Sequence, residues 1–223
     1  MTALIDADIV AYRCSASNDV EEGEEIVLLR AEKLMQDILY LTDAKEYKAF
    51  LTGPGNFRKE INPGYKANRK DKPLPMWLAS CREYLISAWN AEVTEGHEAD
   101  DALGMHQTED TIICSIDKDL LQIPGKHFNF VKQEFLDVLE ADGIRHFYKQ
   151  MLIGDRSDNI FGVNGIGPVK ANKIIDPLDT AEDMYEAVRD LYDTEERLLD
   201  RKSTRLNSQS HLNLVCRLLL EKK

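Results

Sequence analysis

No stretch of this sequence approaches the run of about 18 apolar residues that a membrane-crossing helix needs. The opening "MTALIDADIVAY" has neither the basic start nor the apolar core of a signal peptide, so a cytoplasmic protein with no membrane partner is expected. Cysteine is sparse. Cys14, Cys81, Cys114 and Cys216 are scattered without a CxxC pair, which excludes a zinc ribbon and a disulfide framework and leaves reduced thiols. A basic surplus is also missing, because 28 Lys and Arg face 40 Asp and Glu for a net charge of -12. That balance argues at first against a nucleic-acid partner, which is usually gripped by clustered cations. Distribution outweighs the sum, since a carboxylate cluster neutralised by divalent ions leaves basic residues free to collect along one groove.

Several common motifs fail on spacing. No GxxxxGK[ST] occurs, "HEADD" lacks the second histidine of HExxH, and "DKDLLQIPG" lacks the glycine and final Glu of an EF-hand. His97, His106, His127, His146 and His211 show no ligand spacing and read as ordinary surface or core histidines.

The chain is 43% hydrophobic and 30% charged over 223 residues, enough for one sizeable core with a small appended module. "ALIDADIVAY" reads as a strand running into a helix. "EIVLLRAEKLMQDILYL" has helical spacing of Leu28, Leu29, Leu34, Ile38 and Leu39, and "LPMWLASCREYLISAWN" is a second long helix. "EYKAFLT", "AEVTEG", "TIICS" and "HFNFV" read as strands, with the helix "EADDALGMHQ" among them. The alternation predicts an α/β fold whose mainly parallel central sheet is flanked by helices. In such sheets ligands bind beyond the carboxyl ends of the strands.

Acids recur at those ends. Asp6 and Asp8 follow "ALI"; Glu98, Asp100 and Asp101 open a helix; Asp117 and Asp119 follow "TIICS"; Asp155 and Asp158 lie at i and i+3 in "IGDRSDN". A single acid at a helix start is most often a cap or a dipole partner. Four such groups converging would repel strongly unless cations bridged them. Carboxylate oxygens suit Mg²⁺ or Mn²⁺, and no nearby His/Cys set points to zinc. In "GVNGIGPVKANKII", Gly165 and Gly167 frame a tight turn, Pro168 suits a first helical turn, and Lys170 completes a GxGxxK pattern. Glycines before a helix leave backbone N–H groups able to take a phosphate oxygen.

"EADDALG", "SIDKDLLQ" and "GDRSDNIFGVNGIGPVKA", in this order, resemble the 5′-nuclease superfamily of flap endonucleases and phage 5′-to-3′ exonucleases, and "LIDADIVAYR" and "NFRKEINPGYKANR" resemble its phage-type members. The resemblance implies a PIN-like 5′-nuclease catalytic domain over 1–145, a helix-hairpin-helix DNA-binding module over 146–201, and two-metal hydrolysis of DNA phosphodiesters near 5′ ends, flaps or nicks by a monomer. It assigns Asp6, Glu98 and Asp100 to a first metal, with Asp101 close by, and Asp117, Asp119 and Asp158 to a second, supported by Asp155. It places Lys66 and Arg69 near the scissile phosphate on a gateway helix and offers Tyr65 for stacking on a base. Gly165, Gly167 and Lys170 would hold the DNA backbone, with a monovalent cation at the helix-hairpin-helix. Asn56 to Lys72 is basic in its own right: Arg58, Lys59, Lys66, Arg69, Lys70 and Lys72 stand against Glu60 and Asp71. One departure is plain. Many members carry an aspartate after the second strand, where this chain has Thr52 and Gly53, so Asp8 or a bound water is expected to substitute.

The ending, 202–223, changes chemistry abruptly, with five basic residues and one acidic against 23 and 39 in the preceding 201 residues. Two readings stay open. One is an amphipathic helix packed by Leu214, Leu218 and Leu219; the other is a non-native tail, because "STRLNS" resembles translated adapter read-through. Two other functions also stay open: a PIN-like ribonuclease, and a non-catalytic protein that binds branched DNA.

Overall fold

Short strands in which every side chain is apolar can only lie inside a sheet covered on both faces. "ALI" and, after its leading Thr111, "TIIC" are such strands. The computed structural model describes residues 1–16, 23–70 and 72–192, so the tail 202–223 and both readings of it lie outside the described residues. In chain order the elements are β1 (Thr2–Asp6), α1 (Ala7–Ser15), α2 (Glu24–Thr42), β2 (Glu46–Leu51) and α3 (Phe57–Ile61). They continue with α4 (Leu78–Trp89), β3 (Glu92–Val93), α5 (Ala99–His106), β4 (Thr111–Cys114), β5 (Gly125–Asn129) and β6 (Glu134–Val138). Last come α6 (Glu140–Ile153), β7 (Gly154–Asp155), β8 (Ile160–Phe161), α7 (Pro168–Ile175) and α8 (Ala181–Arg189).

The chain packs as two compact units. Among the described residues, the first comprises Met1–Gly55, Pro73–Leu120 and Gly125–Val138; the second comprises Asn56–Lys72, Leu121–Pro124 and 139–192. This partition differs from a single boundary at residue 145, because the basic segment 56–72 belongs with the later helices.

In the first unit the sheet order is β3-β2-β1-β4-β5-β6, parallel throughout except that β6 runs antiparallel to β5. The mainly parallel α/β sheet expected from the sequence is therefore present. The chain leaves β1 on one side to make β2 and β3, then returns on the other to make β4 and β5. That reversal creates a switch point between β1 and β4, the place where such sheets leave a crevice for ligands. Ala3, Ile5, Val10, Ala31, Met35, Leu51, Leu85 and Ile112 belong to one core that joins the sheet to α1, α2 and α4. The buried stripe of α2 is Val27, Ala31, Met35, Ile38 and Thr42, while Leu29 is 68% exposed. The spacing thus located the helix and, through Ile38 with Leu28, Leu34 and Leu39 packed against the core, most of its inner side, while Leu29 faces out. β6 was not anticipated, because four of its five residues are exposed and its alternation carries little burial signal.

The second unit has its own core, in which Phe147, Met151, Leu152, Ala171, Ile175 and Val188 bring α6, α7 and α8 together. Thr180 caps α8 by accepting the Asp183 N–H at 3.1 Å. Among the described residues no helix is long and apolar enough to cross a membrane.

Candidate functional site

In the first unit the site starts from β1. Its last residue, Asp6, is 1% exposed and caps α1, accepting the Ile9 N–H at 3.1 Å. The register that pairs Ile5 with Cys114 sets Ser115 beside Asp6, and the Ser115 hydroxyl donates to Asp6 Oδ2 at 2.7 Å. Ser115 Oγ in turn accepts the Asp117 N–H at 3.0 Å, and Asp117 Oδ1 accepts the Asp119 N–H at 2.8 Å. One hydroxyl therefore ties the end of β1 to the Asp117 loop. Burial pushes the Asp6 carboxyl up to about 7, and the charges of Asp8 and Asp117 push the same way against the Ser115 and Ile9 hydrogen bonds. Like charges have been gathered at the switch point of the sheet.

The N-terminus of α5 reaches the same end of the sheet, because Ala99 N–H donates to Thr52 Oγ1 at the end of β2 at 2.9 Å. Glu98 and Asp101 are both buried at 7% exposure, and the Asp101 carboxylate accepts the Glu98 N–H at 2.9 Å in a capping box. Asp100, half-buried, lies between them in the first turn. Asp101 therefore has a structural task that accounts for its position.

Asp8 Oδ2 accepts the Thr52 N–H at 2.8 Å and its Oδ1 is ion-paired with Arg82. This carboxylate is matched by a guanidinium and holds the end of β2.

In the second unit the basic segment folds as the five-residue α3, capped by Asn56, and a separate 3₁₀ turn at Ala67–Arg69. Among the described residues, Arg69 lies in that short 3₁₀ turn and Lys66 just before it, with Pro63-Gly64 and the left-handed Lys66 (φ 54°) separating the turn from α3. Lys66 and Arg69 meet Asp158. The Lys66 N–H donates to the Asp158 carbonyl at 2.8 Å, Lys66 Nζ lies 3.8 Å from Asp158 Oδ2, and Arg69 is ion-paired with Oδ1. Arg69 Nε also donates to the Ser157 carbonyl at 3.0 Å, Asn68 to Arg156 at 2.9 Å, and Asn159 to Gly64 at 2.8 Å. The carboxylate oxygens of Asp155 and Asp158 come within 4.8 Å of one another. Burial raises the Asp158 pKa, while the Lys66 and Arg69 charges oppose it.

Tyr65 is 4% exposed, and its hydroxyl donates to Asp158 Oδ2 at 3.0 Å. A ring buried in this way presents no face to a base, so the stacking role is corrected to one of orienting Asp158. Gly165 has φ 74° and Gly167 caps α7 with Pro168 next; a Cβ at either glycine would meet nothing within 4 Å. The N-terminus of α7 is therefore open to a ligand. Lys170 Nζ donates to the Gly165 carbonyl at 2.8 Å and so closes the turn. Sequence reasoning missed Ser115, Thr52, Arg82, Asn68 and Asn159. Only Ser115 carried a readable signal, as a hydroxyl two residues before an acid in a loop.

The fold and its first site define an α/β domain with acids gathered at the switch point of a mainly parallel sheet. A family model described as the 5′-3′ exonuclease, N-terminal resolvase-like domain matches residues 1–149, and the chain belongs to that family. It is similar to DNA polymerase I of Caldicellulosiruptor bescii, 31% identical over 74% of this chain and 22% of the polymerase. The chain thus spans about a fifth of that relative's length. It is also similar to flap endonuclease Xni of a Shewanella species, 27% identical over 78% of this chain and 72% of that protein. Among solved structures, the bacteriophage T5 D15 flap endonuclease in a pseudo-enzyme-product complex with DNA and metal ions shares the fold. Its TM-score is 0.68 at 19% identity, covering 90% of this chain and 86% of that one.

Proposed function

We propose that this chain is a divalent-metal-dependent nuclease that hydrolyses DNA phosphodiesters near 5′ ends, flaps or nicks, as a monomer in the cytoplasm of a bacterial or phage-infected cell. One observation carries the reading: Asp6, fully buried at the switch point, is pressed by the like charges of Asp8 and Asp117. Such a set fits a hard cation, because oxygen donors are gathered where a protein without one would hold a proton instead. In the first unit Asp6, Glu98, Asp100, Asp117 and Asp119 would hold Mg²⁺ or Mn²⁺. In the second, Asp155 and Asp158 add donors of their own. Two divalent cations would lower the pKa of an attacking water and stabilise the leaving oxygen.

The chain's own groups do the rest. Ser115 fixes the Asp6 carboxylate and the Asp117 loop in one arrangement. Lys66 and Arg69, delivered by the Gly64–Arg69 turn, carry positive charge to a substrate phosphate. The open α7 N-terminus, with Gly165 and Gly167, takes a backbone phosphate further along the duplex, with a monovalent cation at the turn. The test is incubation of 5′-flap, nicked and blunt duplexes with Mg²⁺ or a chelator, comparing wild type with Asp117→Ala. Mg²⁺-dependent 5′ products that vanish in the variant are expected. Cleavage of single-stranded RNA with no action on DNA ends, or binding of branched DNA without cleavage, would overturn the reading.

A further inference from the structure

The end of β2 carries no acid and has no room for one at Gly53. A Cβ there would come within 2.0 Å of the Thr94 carbonyl oxygen and 2.7 Å of Val93 Cγ1. Thr52, just before it, is gripped on both sides of its backbone: Asp8 Oδ2 accepts its N–H at 2.8 Å, and Arg82 Nη2 donates to its carbonyl at 2.6 Å. The same guanidinium is ion-paired with Asp8, and both side chains are under a third exposed, 28% for Arg82 and 29% for Asp8. Asp8 adds its negative charge to that already pressing on Asp6. Arg82, from α4, therefore brings a permanent positive charge to the edge of a set of acids.

Building on the metal-dependent reading, we propose that Arg82 is a resident cation of this site. It neutralises Asp8, locks it onto Thr52, and so removes Asp8 from the ligands available to a divalent ion. The ion pair does the charge-balancing at the end of β2 and leaves metal binding to Asp6, Asp117 and the α5 acids. Arg82 acts through Asp8 and Thr52, so it is a positioning residue.

The proposal predicts how the pair behaves toward metal when it is broken. The measurement is the thermal midpoint of the full chain in chelator and in saturating Mg²⁺, for wild type, Asp8→Asn, Arg82→Met and the double variant. Asp8→Asn should keep the wild-type Mg²⁺-induced shift. Arg82→Met should melt lower in chelator and show a Mg²⁺ shift about twofold larger, because the freed Asp8 carboxylate now recruits the ion. The double variant should return to the wild-type shift and recover much of the midpoint lost in chelator. Loss of most of the shift in Asp8→Asn, or no gain in Arg82→Met, would overturn the proposal. Should Arg82→Met fail to fold in chelator, folding restored by Mg²⁺ or by Asp8→Asn supports it, and folding in neither refutes it. A wild-type chain indifferent to Mg²⁺ would instead remove the metal-dependent reading, while the chelator comparison still decides the ion pair.

Discussion

Asp6 and Asp158 are both buried carboxylates, yet their surroundings differ in kind. Around Asp158 the chain supplies its own counter-charges: Arg69 in an ion pair, Lys66 at 3.8 Å, and the Tyr65 hydroxyl at 3.0 Å. Around Asp6 it supplies a hydroxyl and a backbone N–H, and of the two acids that press on it only Asp8 meets a counter-charge, from Arg82. One environment is balanced within the fold, and the other gathers acids whose counter-charge is incomplete. A buried acid is thus informative about function mainly through what faces it.

The largest effect should come from removing an acid of the unbalanced group. Asp117→Ala is expected to lower Mg²⁺-dependent cleavage of a 5′-flap duplex by at least about a hundredfold, read as single-turnover rate. Asp6→Asn should do likewise and, in chelator at pH 8, should raise the thermal midpoint, because a buried charge is removed while Asn can still accept the Ile9 N–H. The sign follows from linkage. The folded-state Asp6 pKa of about 7 lies above its ordinary 3.8. Its contribution is therefore fully present below pH 3.8 and lost as pH rises through 7. Metal-free stability should fall across that window by up to about 1.4 kcal/mol per pH unit, and Asp6→Asn should flatten the fall in chemical denaturation.

Breaking the balanced group should cost less and do so in the opposite sense. Arg69→Met should lower metal-free stability by about 1–2 kcal/mol, discounted because Arg69 is half exposed, and Asp158→Asn in the same chain should restore much of it. Tyr65→Phe removes one hydrogen bond to the same carboxylate and should cost about 1 kcal/mol in urea denaturation. The smallest effect is expected at α7: Lys170→Met should weaken duplex binding only slightly, with the salt dependence of affinity reduced by about one ion or less.

Much of the sheet was legible because strands covered on both faces are largely apolar, as "TIIC" is after its leading threonine. The acids were legible because loops at strand ends have few structural reasons to carry several carboxylates close together. What was hidden depended on pairing distant in sequence. Nothing local says that Arg82 meets Asp8, or that Asn159 reaches back to Gly64. Nor does a basic run reveal that Lys66 and Arg69 fold onto an acid in 154–159, or that Tyr65, placed beside them, turns its ring inward. Asp101 was ambiguous for a different reason, since an acid three residues after a helix cap serves capping and ligation equally well.

On the metal-dependent reading, the Asp6 group exchanges a proton for a divalent ion. Calorimetric titration of metal-free protein with Mg²⁺, in two buffers of different ionisation enthalpy, counts the protons released. Close to one proton per chain at about pH 6, falling toward none by about pH 8 and absent in Asp6→Asn, is the predicted result. Mg²⁺ uptake at pH 6 with no proton release, or no uptake at all, would contradict it.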